Sequence, residues 1–406
     1  MQFAKGSNLP KVKRSNQTAI QRMIYHCGPI TRAEVAEHLG LTLPTITTNI
    51  NQMIASGIVQ EVGNAESSAI GRKANLVDIV PNSRYFLGIE IRGAFRRLCI
   101  TDFRGQPVFT QRDDRPYSNY EKNIRATCRM IKDALNSDVV PPELISGIAV
   151  CLPGLVNSES GILNIHPGYH WVDKAIRQDI ETLTGFQGAI SVENNACARA
   201  FGARLFRNDL LNNISSFAYL YISAGIACPL FINSSTSHGI LVGEGEVGHM
   251  TIAPKGPKCS CGKHGCLEAF SSDRAIISQC LRLMKKEAAP ILTQICADGH
   301  PTIEDILHAQ ERGEEVVSKI VETAVKNLGI AIANIDNFVR PHSMLIEGKL
   351  FISQENRKLL LTTIHQNLYT ATFADTRFVF VDPDEFSGAK GAAAVAISRS
   401  MEADNE

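Results

Sequence analysis

The sequence predicts an α/β protein in two parts, a small helical head and a larger, duplicated body. Three observations predict this division. The first eighty residues contain three short helical patterns with capping signals, a series of strand patterns recurs roughly 130 residues further along the chain, and a cysteine-rich block lies in the second copy. The chain has 406 residues, which suits two or three domains of about 100–200 residues each.

Apolar residues at helical spacing predict three helices in the head. The first covers residues 16–27 and ends at Gly28-Pro29. The second follows a capping box formed by Thr31 and Glu34, in which side chains satisfy the free amides of the first turn. The third covers about residues 43–56, with Thr42 as its N-cap.

The third helix is predicted to present a polar face opposite its apolar stripe, formed by Thr45, Thr48, Asn49 and Gln52. Such short donors and acceptors can reach base edges in a major groove. Two short strands follow, at residues 58–62 and 76–80, with Arg72 and Lys73 placed for phosphates or a minor groove. The pattern predicts a winged helix-turn-helix that binds DNA; a small helical interaction domain is the alternative.

Charge is distributed unevenly although the chain contains 41 basic and 41 acidic residues. Residues 1–77 carry eight Lys/Arg and four Asp/Glu, a net charge of +4, which leaves −4 for the rest. A basic head on an acidic body is typical of a DNA-binding module joined to another domain, although chance asymmetry can produce it.

Several class-level features favour a cytoplasmic protein without membrane insertion. No apolar run approaches the ~20 residues of a membrane span, and the first sixteen residues lack the apolar core of a secretory signal. Eleven cysteines, an odd number spread over a long chain, do not suggest a disulfide framework.

The body begins after Pro81-Asn82-Ser83 with three strand patterns joined by tight turns. A similar passage recurs at residues 217–223 and 226–233, and helices and strands alternate between the two copies. This arrangement predicts a duplicated α/β fold with a cleft between two lobes.

A metal site is predicted in the second copy, where Cys259, Cys261 and Cys266 fall within eight residues among glycines. Three thiolates and one imidazole bind Zn²⁺ tetrahedrally, so one structural zinc ion per chain is expected. From spacing, either His249 or His264 can complete the set. Reduced thiols without a metal are the alternative.

Several motifs together resemble those of the ROK family (repressors, open reading frames, kinases). They are the segment 245–249, the cysteine block 259–268, Leu152-Pro153-Gly154, the segment 193–196 and the glycine–alanine segment 388–393. With the winged helix, the chain resembles the family's sugar-responsive regulators of the NagC/XylR type. The resemblance implies a two-lobed, actin-like (ribonuclease H-like, duplicated) sugar-kinase fold. The expected domains are 1–80 for the head, 81–190 for the first lobe with a returning helix at about 386–402, and 191–385 for the second lobe.

The resemblance also implies ligands for a metal and a sugar. The family's zinc ligands correspond to His249, Cys259, Cys261 and Cys266, and its sugar contacts to Asn194, Glu246, His249 and Glu268, with Asn195 where the family has an aspartate. Carboxylates and amides suit vicinal hydroxyls, which both donate and accept hydrogen bonds. One nitrogen of His249 can bind zinc while the other faces a hydroxyl. Trp171 resembles a residue bordering the sugar cleft, or is a buried structural tryptophan.

The kinase motifs of the family are altered in this chain. Its first phosphate motif, Asp-x-Gly-Gly-Thr, corresponds to Glu90-Ile91-Arg92-Gly93-Ala94, and its glycine-rich second motif corresponds to residues 223–229, which end in Pro229. Pro229 has no amide hydrogen to offer a phosphate, and Asn195 cannot accept a proton as a general base. We therefore predict no kinase activity and no catalytic residues.

The leading prediction is a DNA-binding transcriptional regulator that represses carbohydrate genes. Its expected partners are double-stranded operator DNA and a sugar or phosphosugar effector, and it is expected to form a homodimer or homotetramer. The alternatives are an ATP-dependent sugar kinase with an added DNA-binding head, and a protein that docks on a transport component.

Overall fold

The computed structural model describes residues 9–64, 74–166, 168–211, 214–232, 243–369 and 376–403. The chain folds into two compact units. The head unit comprises Met1–Asn164, Trp171–Leu210 and Phe386–Glu406, and the metal-loop unit comprises Ile165–His170 and Leu211–Glu385. The predicted lobe boundary at residue 190 falls inside a strand (Ala189–Asn194) of the head unit's sheet, and the head unit continues to Leu210.

The winged helix-turn-helix forms as the capping signals predict. Its helices are α1 (Leu9–Cys27), α2 (Arg32–Leu39) and α3 (Leu43–Ala55), and its antiparallel sheet has the order β1-β3-β2, with β1 (Ile30–Thr31), β2 (Val59–Asn64) and β3 (Asn75–Ile79). The capping box is confirmed, since Thr31 Oγ1 accepts from the Glu34 amide and Glu34 Oε2 accepts from the Thr31 amide. Helix α1 starts seven residues earlier than predicted, because Pro10 falls in its first turn, where proline costs no hydrogen bond.

The sheet of the head unit combines an antiparallel meander with parallel strands. The order is β11-β7-β4-β5-β6, in which β4, β5 and β6 are antiparallel and β7 and β11 continue in parallel from β4. The elements of this segment are β4 (Tyr85–Ile91), β5 (Arg96–Asp102), β6 (Pro107–Asp113), α4 (Tyr120–Leu135), β7 (Ile145–Leu152), β8 (Leu155–Asn157), β9 (Ile162–His166), β10 (Trp171–Lys174), α5 (Ile176–Thr184), β11 (Ala189–Asn194) and α6 (Asn195–Phe206).

The metal-loop unit repeats this architecture. Strand β12 is antiparallel to β13 and β14 and parallel to β15, which in turn is parallel to β16. Helix α7 (Asn208–Leu211) falls at the point in the chain where the head unit ends. The elements of the metal-loop unit are β12 (Ser216–Ile222), β13 (Ile226–Ala227), β14 (Leu230–Ile232), α8 (Glu268–Ser271), α9 (Asp273–Met284), α10 (Pro290–Ile295), α11 (Ile303–Glu311), α12 (Glu315–Val339), β15 (Ser343–Glu347), α13 (Gln354–Asn367) and β16 (Arg377–Val381). The predicted duplication of a meander with parallel strands is confirmed.

The strand predicted at residues 226–233 is divided into β13 and β14. Cys228-Pro229 separates the two pieces, and the amide of Cys228 donates to the carbonyl of Gly245 instead of joining the β12 ladder. Proline cannot donate to a ladder, which explains the break. Asn233 lies outside the described residues.

A final helix, α14 (Ser387–Ala403), returns to the sheet of the head unit. It packs at backbone distance, because an added Cβ at Gly88 on β4 would lie 2.0 Å from the carbonyl oxygen of Ala389. An added Cβ at Gly391 would lie 2.4 Å from the carbonyl oxygen of Ala198 on α6. Glycine is therefore required on both sides of this helix.

The winged helix packs against the sheet of the head unit through one turn. Phe103, just after β5, lies 5.7 Å from the ring of Tyr25 and 5.6 Å from the ring of Phe86. The next residue, Arg104, donates to the carbonyl oxygen of Tyr25 on α1 and to Asp78 on β3. No helix within the described ranges is long and apolar enough to cross a membrane.

Candidate functional site

The predicted metal ligands converge in the metal-loop unit. The ligand atoms of His249, Cys259, Cys261 and Cys266 all lie within 4.8 Å of one another. His249 Nδ1 is 3.6 Å from the Cys259 sulfur, and the sulfurs of Cys261 and Cys266 are 3.7 Å apart. Three thiols and one imidazole at this spacing fit a tetrahedral metal ion.

Tight turns make this convergence possible. Gly265 has a φ of +73°, and an added Cβ there would lie 1.6 Å from the carbonyl oxygen of Ala253. Only glycine fits at that point, and it brings Cys266 back toward Cys259 and Cys261. His264, the other candidate ligand from spacing, is outside the cluster, with its Nδ1 3.2 Å from the carbonyl oxygen of Gly256.

Metal binding at this cluster must displace a proton. Burial, together with the neighbouring thiols, raises the pKa of Cys266 to about 12. The thiol is therefore protonated at neutral pH without a metal, and ligation releases its proton.

Two carboxylates flank the cysteine loop, Glu246 one turn before His249 and Glu268 at the start of α8. Glu268 Oε1 accepts from Ser260 Oγ at 3.0 Å and from Arg274 Nη2 at 2.8 Å. Because Ser260 stands between Cys259 and Cys261, the metal loop itself orients this carboxylate.

Burial, with a smaller contribution from the charge of Glu268, raises the pKa of Glu246 to about 7. Near neutral pH this carboxyl group is therefore shared between its protonated and ionised forms. It can then either donate a hydrogen bond or accept one, as a hydroxyl partner requires.

Asn194 and Asn195 lie in the head unit, at the start of α6. Asn194 is the N-cap: its Oδ1 accepts from the amides of Ala196 and Cys197, and its Nδ2 donates to the carbonyl of Gly154. Asn195 is the first residue of the helix and is buried. Asn194, one of the residues predicted to contact a sugar, therefore also caps the first turn of α6.

The first phosphate segment of the family corresponds to a buried ion cluster at the end of β4. Glu90 has no exposed surface, and its carboxylate accepts from Arg92 at 2.9 Å and from both terminal nitrogens of Arg199 at 3.1 Å. Burial alone would raise the pKa of Glu90, but the charges of Arg199 and Arg92 outweigh it and lower the pKa to about 2. The chain supplies its own anion and cations at this position.

The second phosphate segment is a short hairpin in the metal-loop unit. The Ser223 amide donates to the carbonyl of Gly225, and Ile226 and Ala227 pair with β12. An added Cβ at Gly225 would lie 2.9 Å from Glu268 Oε2. The Ser223 amide is thus satisfied within the hairpin, and Pro229 has no amide hydrogen to offer.

The polar face predicted for α3 is exposed only in part. Thr48 and Gln52 are exposed and Thr45 is half-buried. Asn49 is 5% exposed and its Nδ2 donates to the carbonyl of Thr45, so its prediction as part of the exposed face is wrong. The helix turns Asn49 toward the apolar side, between Ile46 and Ile50 in its periodicity. Arg72 and Lys73 lie outside the described residues.

Trp171 is a buried residue of the head unit. Its indole nitrogen donates to the carbonyl of Ser118 at 2.8 Å, and its ring meets Tyr120 edge-on at 5.5 Å. These contacts favour the structural interpretation of this tryptophan.

Sequence reasoning missed three residues that support the site. Arg199 pairs with Glu90, while Ser260 and Arg274 hold Glu268. The position of Ser260 between two predicted ligands is a usable signal. Neither arginine has a local pattern that identifies its partner, because each pairs with a residue brought near by the tertiary fold.

A winged-helix head, a duplicated α/β body and a His/Cys₃ loop define a DNA-binding protein class built on a sugar-kinase fold. The ROK family profile matches residues 86–399, and a winged helix-turn-helix DNA-binding profile matches residues 16–60. The chain belongs to the ROK family.

Similar proteins include regulators and kinases. The xylose repressor of Bacillus subtilis (strain 168) is 26% identical over 368 residues, covering 89% of this chain and 88% of the relative. The N-acetylglucosamine repressor of Escherichia coli O157:H7 is 27% identical over 369 residues, covering 89% of this chain and 86% of the relative. The chain spans nearly the whole length of both.

Solved structures agree on the fold. A ROK family transcriptional regulator, described as a homolog of the E. coli MLC protein, has a TM-score of 0.79 at 23% identity and covers 96% of this chain and 97% of its own. A ROK family glucokinase from Streptomyces griseus, solved with glucose and AMPPNP, has a TM-score of 0.63 at 20% identity and covers 77% of this chain and 99% of its own.

Proposed function

We propose that this protein is a transcriptional repressor of carbohydrate genes whose binding to operator DNA is controlled by a sugar. The observation that carries the proposal is that the head unit contains both a winged helix-turn-helix and an altered phosphate segment. A winged helix-turn-helix packs on the sheet whose phosphate-binding position is filled by the ion cluster of Glu90, Arg92 and Arg199. The chain thus has a DNA-reading head on a body that has lost the chemistry of a kinase.

The head binds double-stranded DNA through α3. Thr48 and Gln52 on its exposed face offer donors and acceptors to base edges, with Thr45 at the border. Arg72 and Lys73, outside the described residues, are proposed to contact phosphates because of their charge. A homodimer places two such helices in major grooves one or two helical turns apart on a palindromic operator.

The effector is a sugar or phosphosugar, and the groups proposed to contact it are Asn194 and Asn195 in the head unit and Glu246, His249 and Glu268 in the metal-loop unit. The carboxylates of Glu246 and Glu268 and the amides of the two asparagines suit hydroxyl groups. His249, Cys259, Cys261 and Cys266 would hold one structural Zn²⁺ ion, which would fix the ring of His249. Ser260, between two of these ligands, donates to Glu268 and so positions its carboxylate. The sugar favours the arrangement that binds operator weakly, and it acts only through its differential affinity for the two arrangements.

The protein does not phosphorylate the sugar. Asn195 cannot take the proton of a hydroxyl, and loss of a general base costs about 10²–10⁴-fold in rate. The guanidinium groups of Arg92 and Arg199 are paired with Glu90, so the first phosphate segment is closed by internal ion pairs. The expected cellular location is the cytoplasm, where the operator is found.

The test is fluorescence anisotropy of labelled DNA from the region upstream of this protein's gene, with increasing protein and then a panel of xylose, N-acetylglucosamine, glucose and the phosphate esters of these sugars. Salt-sensitive binding that one sugar weakens supports the proposal. Binding that no sugar or phosphosugar alters contradicts control by a sugar, and ATP-dependent phosphorylation of a panel sugar contradicts the loss of kinase activity.

Two substitutions on α3 sharpen the DNA part of this test. Gln52→Ala removes an exposed polar side chain and should weaken operator binding about tenfold, within the ~1–3 kcal/mol of one base contact, while leaving the melting temperature unchanged. Asn49→Ala is the matched control, because it lies on the same helix with its side chain turned inward. It should lower the melting temperature instead.

A further inference from the structure

Helix α6 begins at Asn194 and Asn195, which are proposed to contact the sugar. It ends beside the turn at Arg104 and Gly105, which contacts the DNA-binding head. Its twelve residues span about 18 Å at 1.5 Å per residue. Asn194 caps the first turn and Asn195 opens it, while Phe206 is its last residue. All of these residues belong to the head unit.

The C-terminal end of α6 contacts the turn that holds the head. An added Cβ at Gly105, which has a φ of +81°, would lie 2.1 Å from a ring carbon of Phe206. The residue before it, Arg104, donates to the carbonyl oxygen of Tyr25 and to Asp78, and its guanidinium lies 5.2 Å from the Tyr25 ring centre. A displacement of Phe206 would therefore shift the turn whose Arg104 is hydrogen-bonded to α1 and β3 of the head.

Helix α6 packs closely against α14 and is also tied to strand β4. An added Cβ at Gly202 would lie 3.1 Å from the Cα of Gly391, and Arg199 is tied to Glu90 by two hydrogen bonds. Helix α14 has its own contact with the head, since Glu402 accepts from Arg22 on α1 at 2.7 Å. Packed elements of this kind shift between discrete positions instead of deforming gradually.

We propose that α6, backed by α14, transmits sugar binding to the DNA-binding head through the contact of Phe206 with the Gly105 turn. The inference rests on the proposed function, because it places the sugar at Asn194 and Asn195. A sugar that bonds to the cap residue changes the position of the first turn, and the helix carries that change to Arg104. Phe206 is a positioning residue that contacts neither sugar nor DNA.

The test compares Phe206→Ala with Phe186→Ala in the full-length protein. Phe186 is the matched control, because it is also half-buried in the head unit and its ring also packs on a glycine, at 2.6 Å from an added Cβ of Gly188. Three quantities are measured: the operator Kd without sugar, the operator Kd with a saturating member of the xylose, N-acetylglucosamine and glucose panel, and the Kd of that sugar by calorimetry.

In the wild type and in Phe186→Ala, the sugar should change the operator Kd at least about fivefold, the lower end of ordinary coupling. In Phe206→Ala the change should fall below about twofold, with the sugar Kd of the DNA-free protein within about threefold of the wild type. Glu402→Gln, which weakens the second contact with the head, should reduce the sugar response only partly.

Each outcome decides a different question. A wild-type response that Phe206→Ala leaves intact overturns this inference and leaves the proposed function in place. Operator binding by the wild type that no sugar alters overturns both. If Phe206→Ala does not fold, as judged by circular dichroism, Phe206→Leu takes its place, and an undiminished response in that variant overturns the inference.

Discussion

The cysteine loop and the end of β4 correspond to two parts of a sugar-kinase fold, the part that contacts the sugar and the part that contacts phosphate. The two parts differ in what they offer a ligand. In the loop, the ligand atoms of one imidazole and three thiols converge within 4.8 Å, and Ser260 between two of the cysteines donates to Glu268. At the end of β4, Glu90 is buried between Arg92 and Arg199. The cysteine loop presents groups that can bind a ligand, whereas the charged groups at the end of β4 are paired with one another.

Under the proposed function, this difference separates sugar recognition from catalysis. Recognition depends on positioned donors and acceptors, and the loop positions those of Glu268 through Ser260. Catalysis also needs space and free amides for phosphate and a base for the proton, the features that the proposal takes Arg92, Pro229 and Asn195 to remove. Binding energy that a kinase uses on its transition state is then available to shift a conformational equilibrium.

The largest expected effect comes from breaking the metal loop. Cys261→Ser removes one of the four ligands and should lower bound zinc from one ion per chain to below about 0.2. Sugar binding should weaken at least about tenfold, because His249 and Glu268 lose the positions that the loop gives them, a loss comparable with the cost of about 10–100-fold of disturbing the surroundings of a metal site. Cys296→Ser, at a buried cysteine of the same unit outside the cluster, is the control. Elemental analysis and calorimetry give the two quantities, and normal zinc in Cys261→Ser would refute the ligand assignment.

A smaller effect is expected from breaking the ion cluster. Glu90→Gln leaves two buried guanidinium groups without their carboxylate, which should lower the free energy of unfolding by about 3–5 kcal/mol. Glu121→Gln, an exposed residue of α4, should change it by less than about 0.5 kcal/mol. Urea unfolding monitored by circular dichroism distinguishes the two. Equal stability of both variants would show that the cluster is not paired as described.

The same cluster predicts a dependence of stability on pH. The pKa of Glu90 is about 2 in the folded protein and 4.5 as the ordinary value. Because the folded value is depressed, the stability it contributes is fully present above pH 4.5 and is lost as the pH falls toward 2. The wild type should therefore lose stability more steeply than Glu90→Gln between these values. Parallel acid-unfolding curves would contradict this assignment.

The smallest effect is expected from restoring a base. Asn195→Asp returns a carboxylate to the position of the family's general base, yet it should give no ATP-dependent sugar phosphorylation above background. The phosphate segment at Glu90 remains closed by its arginines. A coupled ADP assay on the sugar panel measures this, with the wild type as the matched control. Turnover in this variant would show that the ion cluster does not block the phosphate position.

Local patterns predicted much of the fold. Capping residues located α2 and α3, and strand alternation located the meander of the head unit, because these features depend on neighbours in sequence. The duplication was visible for the same reason. The boundary at residue 190 was misplaced because β11 joins its sheet by pairing with β7, which is a tertiary contact without a local signal.

In the candidate site, too, local features were predictable from the sequence and tertiary contacts were not. The three cysteines were predictable since their spacing lies within one loop, whereas the choice of His249 over His264 needed either the family resemblance or the structure. Asn49 was predicted to be exposed, but it lies on the buried face of α3, because that face is wider than the stripe of apolar residues alone indicates. The pairing of Glu90 with Arg199 joins residues 109 positions apart, beyond the reach of sequence patterns.

One measurement tests the central claim most directly: the anisotropy of operator DNA with the wild-type protein, recorded with each panel sugar alone and with that sugar plus Mg-ATP. The account predicts that one sugar weakens operator binding at least about fivefold and that Mg-ATP neither changes that effect nor yields sugar phosphate. Operator binding that every sugar leaves unchanged, or phosphorylation of the sugar when ATP is present, would contradict it.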